Sequence, residues 1–195
     1  MNFNIGFIIT NIMLGIGLAM DAFSVSLANG LNEPCMKKRK MFGIAGTFAF
    51  FQALMPMIGW ICIHTIVEYF RFFETLIPWI ALILLGYIGG KMFVEGIKNK
   101  NDGPCDSSGI GLVALIVQGV ATSIDALSVG FAIAIYDLIS AVAASLVIAA
   151  VTLAICLCGV SIGRKAGTAL SGKAGMLGGL ILIAIGIEIF VSSFL

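Results

Sequence analysis

Apolar residues form six long runs along this chain, and most polar residues fall in the short segments between the runs. The runs extend over Ile5 to Leu27, Phe42 to Ile66, Leu76 to Ile97, Ile110 to Ile135, Leu138 to Ile162 and Met176 to Leu195. Each run has the roughly twenty residues that an α-helix needs to cross about 30 Å of hydrocarbon. The pattern therefore predicts an all-α integral membrane protein with six transmembrane helices.

The composition agrees with this prediction. Of the 195 residues, 60% are hydrophobic and only 11% are charged, and the mean hydropathy of +1.12 exceeds that of water-soluble folds. A globular cytosolic enzyme is excluded. The start has no basic n-region or small-residue cleavage site, so we expect the first run to be retained as a span. The five cysteines lack C-x-x-C spacing, and we interpret them as apolar fillers, not as a disulfide framework.

The placement of positive charge predicts the orientation in the membrane. Nine of the eleven Lys and Arg residues follow the first, third and fifth runs: Lys37, Lys38, Arg39, Lys40, Lys98, Lys100, Arg164, Lys165 and Lys173. Because basic residues near span ends are retained in the cytoplasm, we expect those segments inside and both termini outside, in the periplasm or extracellular space. The ten acidic residues nearly balance the basic ones, so no basic excess indicates a nucleic-acid partner.

The first and fourth runs share a motif. Asp21 to Ala28 matches Asp125 to Ala132 in the pattern D-A-[FL]-S-V, 104 residues apart. Weaker similarities follow in the same order, at offsets of 100 and then 97 residues: Gln52 to Gly59 over Thr152 to Gly159, and Ile88 to Phe93 over Ile185 to Phe190. An internal repeat of three spans is therefore predicted.

An odd number of spans in each repeat makes the two halves run in opposite directions through the membrane. The expected architecture is an inverted 3+3 repeat, with the first repeat at residues 1–98, a cytoplasmic linker at 99–109 and the second repeat at 110–195. Inverted repeats are typical of alternating-access transporters, whose substrate sits between the halves.

The repeated aspartates, Asp21 and Asp125, fall near the middle of their runs. A carboxylate at the bilayer centre costs at least about 2.5–3.5 kcal/mol and cannot face lipid. Lys91 is the one basic residue inside a run, and its spacing allows it to pair with Glu95. We therefore expect a transported cation to neutralise the aspartates. The alternative is a structural role for protonated or hydrogen-bonded carboxyls.

Oxygen-bearing side chains surround both aspartates. Two carboxylates with neutral oxygens suit a hard divalent cation such as Mn²⁺ or Mg²⁺. Gln52 adds an amide oxygen or an interhelical hydrogen bond, and Pro56 can break its helix to free carbonyls. Met20 offers a thioether that would favour Mn²⁺. The hydroxylated neighbours are Ser24, Ser26, Thr122, Ser123 and Ser128.

Other residues and absent motifs restrict the mechanism. Glu188 lies mid-span as a candidate proton relay, and Glu95 and Gln118 are weaker candidates. The sequence has no phosphate-binding G-x-x-x-x-G-K-[ST] motif, so we expect a secondary transporter. It also lacks H-E-x-x-H and G-x-S-x-G, which disfavours an enzyme. No resident cofactor is expected.

Four motifs together resemble the MntP-type manganese efflux pumps of the LysE superfamily, and the likeness extends along essentially the whole chain. They are Met20-Asp21-Ala22-Phe23, Gln52-x-x-Met55-Pro56-x-x-Gly59-Trp60, Gly89-Gly90-Lys91-Met92-x-x-Glu95-Gly96 and Ala121-Thr122-Ser123-Ile124-Asp125-Ala126. The resemblance implies a multi-pass exporter of Mn²⁺ in the bacterial inner membrane, with Asp21 and Asp125 as essential carboxylates. Gln52 stands where some relatives carry Glu.

The expected partners are therefore Mn²⁺ as the transported substrate, protons and the lipid bilayer. Exporting a divalent cation against an inside-negative potential costs roughly 4.6 kcal/mol per 100 mV. Exchange for at least two protons cancels that electrical term, so we expect proton antiport. The alternatives are another divalent cation or a small organic solute, such as an amino acid.

Overall fold

The computed structural model describes residues 5–65, 79, 82–83, 86–91, 93–94, 97, 110–170 and 174–192. All regular secondary structure in these residues is helical. The named helices are α1 (Ile5–Asn32), α2 (Lys38–Thr65), α3 (Leu112–Ala121), α4 (Ile124–Ala132), α5 (Leu138–Leu170) and α6 (Ala174–Ser192). A single 3-10 turn, Ile133–Ile135, extends α4.

The helices coincide with the predicted apolar runs wherever the structure describes them. Within the described residues, α1, α2 and α5 are each long and apolar enough to cross a membrane, and α3 with α4 makes a fourth span if the bent pair is counted as one. The third run is described only in short helical pieces. The sixth run corresponds to α6, which has 19 residues. The chain is therefore an all-helical membrane protein.

The distribution of side chains is that of a protein surrounded by lipid. Large apolar side chains face outward, with Leu112 and Val113 more than two-thirds exposed. Polar side chains are turned inward, and Asn11, Gln52 and Gln118 have no exposed surface. Water would favour the opposite arrangement, whereas a bilayer favours this one because lipid offers polar groups no hydrogen bonds.

Close helix crossings rely on glycine. The longest shared interface joins α1 to α5, and there Gly30 lies against Gly163, with no space for a side chain on either. Helix α2 also packs on α4, where Gly59 meets Gly130 just as closely. Small residues allow backbones to approach in this way, and van der Waals packing then holds the helices together in lipid.

The span made of α3 and α4 is broken at Thr122 and Ser123, with a bend of 44°. The Thr122 hydroxyl donates to the Gln118 carbonyl at 2.9 Å, in competition with the backbone ladder. The Ser123 amide donates to the Val120 carbonyl, three residues back, which ends α3 in a tight turn. The helix restarts with Asp125 in its first turn, where a negative side chain complements the helix dipole.

The predicted break at Pro56 was wrong. Helix α2 continues through Pro56 from Lys38 to Thr65. A proline in a helix interior removes one hydrogen bond, and here the carbonyl that loses its donor is that of Gln52, four residues earlier. The surrounding helices keep α2 in register despite this loss, so the broken helix lies in the fourth span and not in the second.

The connection between α1 and α2 is fastened to the end of α5. Arg164 donates from Nε to the Pro34 carbonyl at 3.1 Å, and Glu33 pairs with Lys40. Cys35 forms a disulfide whose partner lies outside the described residues, so the expectation that every cysteine is an unpaired filler was wrong for Cys35. Cys62, Cys156 and Cys158 are free thiols.

Candidate metal site at the broken helix

The two motif aspartates come together in the fold. Asp21 on α1 and Asp125 on α4 lie close enough for their carboxylates to repel each other electrostatically. Asp21 is half-buried and Asp125 is exposed, so neither is sealed inside the helix bundle. A divalent cation bound between two accessible carboxylates would offset their electrostatic repulsion.

The helix break adds backbone groups to this region. Asp125 accepts a hydrogen bond from the Ala126 amide at 2.8 Å, which fixes its carboxylate at the start of α4. The carboxyl end of α3 faces the same break, and carbonyls at such ends carry partial negative charge. Discontinuous helices in transporters use these ends to coordinate ions. The break therefore offers carbonyl oxygens beside the Asp125 carboxylate.

Gln52 lies one helical turn from Asp21. Its Nε2 donates to the Leu18 carbonyl on α1 at 2.8 Å, and Leu18 precedes Asp21 by three residues. The side chain is fully buried, and its Oε1 has no hydrogen-bond partner. The interhelical hydrogen bond and the ligand role, proposed from the sequence as alternatives, are thus compatible, because one amide atom makes the bond and the other stays available.

The remaining predicted ligands occupy different surroundings. Ser24 donates its hydroxyl hydrogen to the Met20 carbonyl at 3.1 Å, which leaves its oxygen free to accept. Ser128 is exposed one turn after Asp125. The Met20 side chain is 54% exposed and continues the outward stripe of Met13 and Ile16. The structure therefore brings the two serines near the aspartates but directs the Met20 thioether outward.

Two buried polar side chains beside the break, those of Ser123 and Gln118, are more prominent in the structure than the sequence predicted. Ser123 Oγ is buried without a hydrogen-bond partner, directly before α4. Gln118, named only as a weak relay candidate, is fully buried and accepts a hydrogen bond from Asn29 Nδ2 at 2.8 Å. The signal in the sequence was Gln118 inside the fourth apolar run and Asn29 two residues after the end of the first run, but nothing in it showed that they meet.

The predicted proton-relay residues are not placed relative to the aspartates. Glu95 lies outside the described residues, and Glu188 belongs to α6, but its side chain is among those that the structure leaves undescribed. Lys91 lies in a described helical piece and interacts with a neighbouring group. The Lys91 to Glu95 pair and the Glu188 relay therefore stay predictions.

The available donors favour a hard cation. Among the described residues, no group of three or more His, Cys, Asp and Glu side chains could hold a metal ion. From the described residues, a metal bound here would take two carboxylates and could complete its shell with amide, hydroxyl and carbonyl oxygens or water. Mn²⁺ and Mg²⁺ accept such a shell, whereas Cu⁺ and Zn²⁺ prefer sulfur and imidazole.

Comparison with known proteins agrees with this chemistry. Residues 35–190 match the family model described as "Putative manganese efflux pump". A protein of Clostridium botulinum strain Hall, "Putative manganese efflux pump MntP 2", is 39% identical over 193 residues, with 94% of each chain covered. Two further relatives are named "Putative manganese efflux pump MntP". The one from Clostridium perfringens strain SM101 is 37% identical, with 94% of each chain covered. The one from Ruminiclostridium cellulolyticum is 39% identical, with 92% of this chain and 93% of the relative covered. No solved structure matches the chain. The chain belongs to the family of manganese efflux pumps.

Proposed function

We propose that this protein exports Mn²⁺ from the cytoplasm across the bacterial inner membrane, and that Asp21 and Asp125 bind the ion. The observation that carries the proposal is the approach of these two carboxylates, from spans far apart in sequence, beside a broken helix. The names of the curated relatives support manganese as the substrate and efflux as the direction. Oxygen ligands alone would accept Mg²⁺ as well.

Equivalent helix crossings support an inverted repeat. Where α2 crosses α4, a Cβ on Gly59 would overlap the Leu127 carbonyl and lie 3.0 Å from Gly130. A Cβ on Gly159 of α5 would lie 2.9 Å from the Phe23 carbonyl and 3.2 Å from Ser26. These contacts correspond under the offsets of 100 and 104 residues. Each motif span therefore packs against the second span of the opposite repeat, as two interlocked halves would.

Interlocked halves provide a mechanism for alternating access. Asp21 belongs to one half and Asp125 to the other, so rocking of the halves would change the side from which the ion site is reached. Exchange with at least two protons would cancel the electrical cost of moving a divalent cation outward, about 4.6 kcal/mol per 100 mV. Two carboxylates that hold either Mn²⁺ or protons provide that exchange.

Flux through the purified protein tests the proposal directly. Proteoliposomes would contain a Mn²⁺-sensitive dye, with the membrane potential clamped to zero and a pH gradient imposed. We expect Mn²⁺ flux that follows the proton gradient, and a higher Mn²⁺ concentration for half-maximal flux when the cytoplasmic side is acidified, because protons compete for the same oxygens. Mn²⁺ flux that does not depend on the pH gradient would contradict proton antiport. Absence of Mn²⁺ flux would contradict Mn²⁺ as the substrate.

The same liposomes separate the alternatives. Mg²⁺ as competitor distinguishes a general divalent exporter from one that selects Mn²⁺. Flux of a labelled amino acid without Mn²⁺ flux would favour an organic-solute exporter of the wider superfamily. We expect Mn²⁺ flux to persist in excess Mg²⁺ and amino acid flux to be absent.

Two indications about orientation disagree. The basic residues of the α1 to α2 connection favour a cytoplasmic location, whereas the Cys35 disulfide is typical of an oxidising compartment. We follow the charge distribution, because it involves nine residues in three connections. Intact cells treated with an impermeant reductant and then an impermeant alkylating reagent should leave Cys35 unlabelled. Efficient labelling would place this connection outside the cell and both termini in the cytoplasm.

A further inference from the structure

A buried hydrogen bond joins α1 to α3 on one side of the aspartates. Asn29 Nδ2 donates to Gln118 Oε1 at 2.8 Å, and both side chains have no exposed surface. The two helices otherwise barely approach each other. We refer to Asn29 and Gln118 as the amide latch.

Two of the four polar side-chain atoms in the amide latch make no hydrogen bond. Asn29 Oδ1 and Gln118 Nε2 are buried without partners. Rotating both amide groups would only exchange donor and acceptor, so one pair of atoms would still be unsatisfied. A contact that served only to fasten two helices would gain from satisfying those atoms, because unpaired buried polar groups are unfavourable.

In the predicted orientation, the amide latch lies on the cytoplasmic side of the two aspartates, where an entering ion would pass its unpaired atoms. Asn29 follows Asp21 by eight residues of the continuous α1, about 12 Å along the helix axis, and Gln118 lies seven residues before Asp125, on the other side of the helix break. By the predicted orientation, both displacements are toward the cytoplasm. Polar groups lie between the amide latch and the aspartates. The Thr122 hydroxyl donates to the Gln118 carbonyl, and the buried Ser123 hydroxyl comes next in the sequence.

The corresponding positions near the outer face are apolar. Under the 104-residue offset, Asn29 corresponds to Ile133 and Gln118 to Leu14. Ile133 is buried and Leu14 is half-buried. The amide pair therefore belongs to one face of the protein only, and the repeat by itself does not account for it.

We propose that the amide latch is the closed cytoplasmic gate of the ion pathway. The inference rests on the proposed transport function and extends it to the route of entry. One neutral hydrogen bond opens readily, because water replaces it on both amides. Once α1 and α3 part, the free amide oxygen and hydrogens can bind the hydration shell of the entering cation. A charged pair at this depth would instead retain the ion.

Accessibility of position 123 tests the gate without any metal. Ser123 is fully buried, so a Ser123→Cys reporter should react slowly with an impermeant thiol reagent applied to inside-out vesicles in metal-free buffer. Mass spectrometry of the peptide containing position 123 reads the rate despite the native cysteines. Adding Gln118→Ala or Asn29→Ala should raise the rate roughly 2- to 10-fold, the change expected when one net hydrogen bond is lost.

Two further variants make the result decisive. The exchange Asn29→Gln with Gln118→Asn keeps the summed length of the pair and should restore slow labelling. Ser145→Ala removes another buried hydroxyl that has no partner, on α5, and should leave the rate unchanged. An unchanged rate in Gln118→Ala, an equal rise in Ser145→Ala, or a rise only from the outer face would each overturn the gate. Because no Mn²⁺ is used, failure of the transport proposal would not produce any of these results.

Discussion

The two spans that carry the aspartates share a motif but differ in their backbone. Asp21 lies within α1, which runs unbroken from Ile5 to Asn32. Asp125 lies in the first turn of α4, directly after the break that ends α3. The same D-A-[FL]-S-V pattern is therefore presented once from a continuous helix and once from a helix start.

The residues before each aspartate also differ between the two spans. Leu18 and Ala19 occupy the positions that correspond to Thr122 and Ser123. Leucine and alanine are good helix formers, whereas threonine and serine hydroxyls compete for backbone carbonyls. Thr122 makes that competing bond. The comparison suggests that one half of the site is rigid and that the other supplies free helix ends, and four predictions test this division.

The largest effect is expected at the carboxylates, whichever backbone carries them. Asp21→Asn and Asp125→Asn should each reduce Mn²⁺ flux at least about 100-fold, because one remaining carboxylate does not compensate the charge of a dehydrated divalent ion, and a buried charge that loses a partner costs about 3–5 kcal/mol. The measurement is flux in proteoliposomes at matched protein content. Asp137→Asn, at the exposed connection before α5, is the control and should transport normally. Normal flux in either site variant would make that aspartate structural.

The next effect concerns the break. Thr122→Val with Ser123→Ala removes both hydroxyls with little change in volume, and we expect the span to become as regular as α1. Flux should fall roughly 10- to 100-fold, because free helix ends contribute to ion binding. Thr47→Val deletes the same kind of hydroxyl-to-carbonyl bond within the continuous α2 and should cost little. Equal loss in both variants would show that the hydroxyls stabilise helices generally, with no special role for the break.

A third, smaller effect compares the two helix crossings. Gly59→Ala overlaps the Leu127 carbonyl, while Gly159→Ala meets the Phe23 carbonyl at 2.9 Å. We expect Gly59→Ala to lower the free energy of unfolding by about 1–3 kcal/mol, and Gly159→Ala by less. Thermal unfolding in detergent gives the ranking. Gly46→Ala, with open space around its Cβ, should be neutral or slightly stabilising. A reversed ranking would contradict the tighter packing of α2 on α4.

The smallest effect separates the two serines. The hydrogen bond that the Ser24 hydroxyl donates to the Met20 carbonyl fixes the orientation of that hydroxyl on α1, whereas Ser128 is exposed one turn after Asp125. Ser24→Ala should change the half-maximal Mn²⁺ concentration by less than about 2-fold, and Ser128→Ala by about 2- to 10-fold, the range of one net hydrogen bond. Flux titrations measure both. A larger effect at Ser24 would mean that the continuous helix supplies the neutral ligand.

The sequence by itself determined the membrane character, the helical class and the family. These follow from local properties, since twenty apolar residues must form a helix in lipid wherever they lie in the chain. The repeated D-A-[FL]-S-V motif also identified Asp21 and Asp125, because a carboxylate inside an apolar run is costly in any fold.

Only the tertiary structure decided which helix breaks and which polar side chains meet. The sequence pointed to Pro56, yet α2 stays continuous from Lys38 to Thr65, and it packs against both the fourth and the fifth span. The fourth span breaks at Thr122 and Ser123, although the bond that the Thr122 hydroxyl makes to the carbonyl four residues earlier also occurs at Thr47 in the continuous α2, so local propensity does not predict the break. The meeting of Asn29 and Gln118, 89 residues apart, depends on how α1 and α3 are placed, and long-range placement is set by the packing of all the helices together.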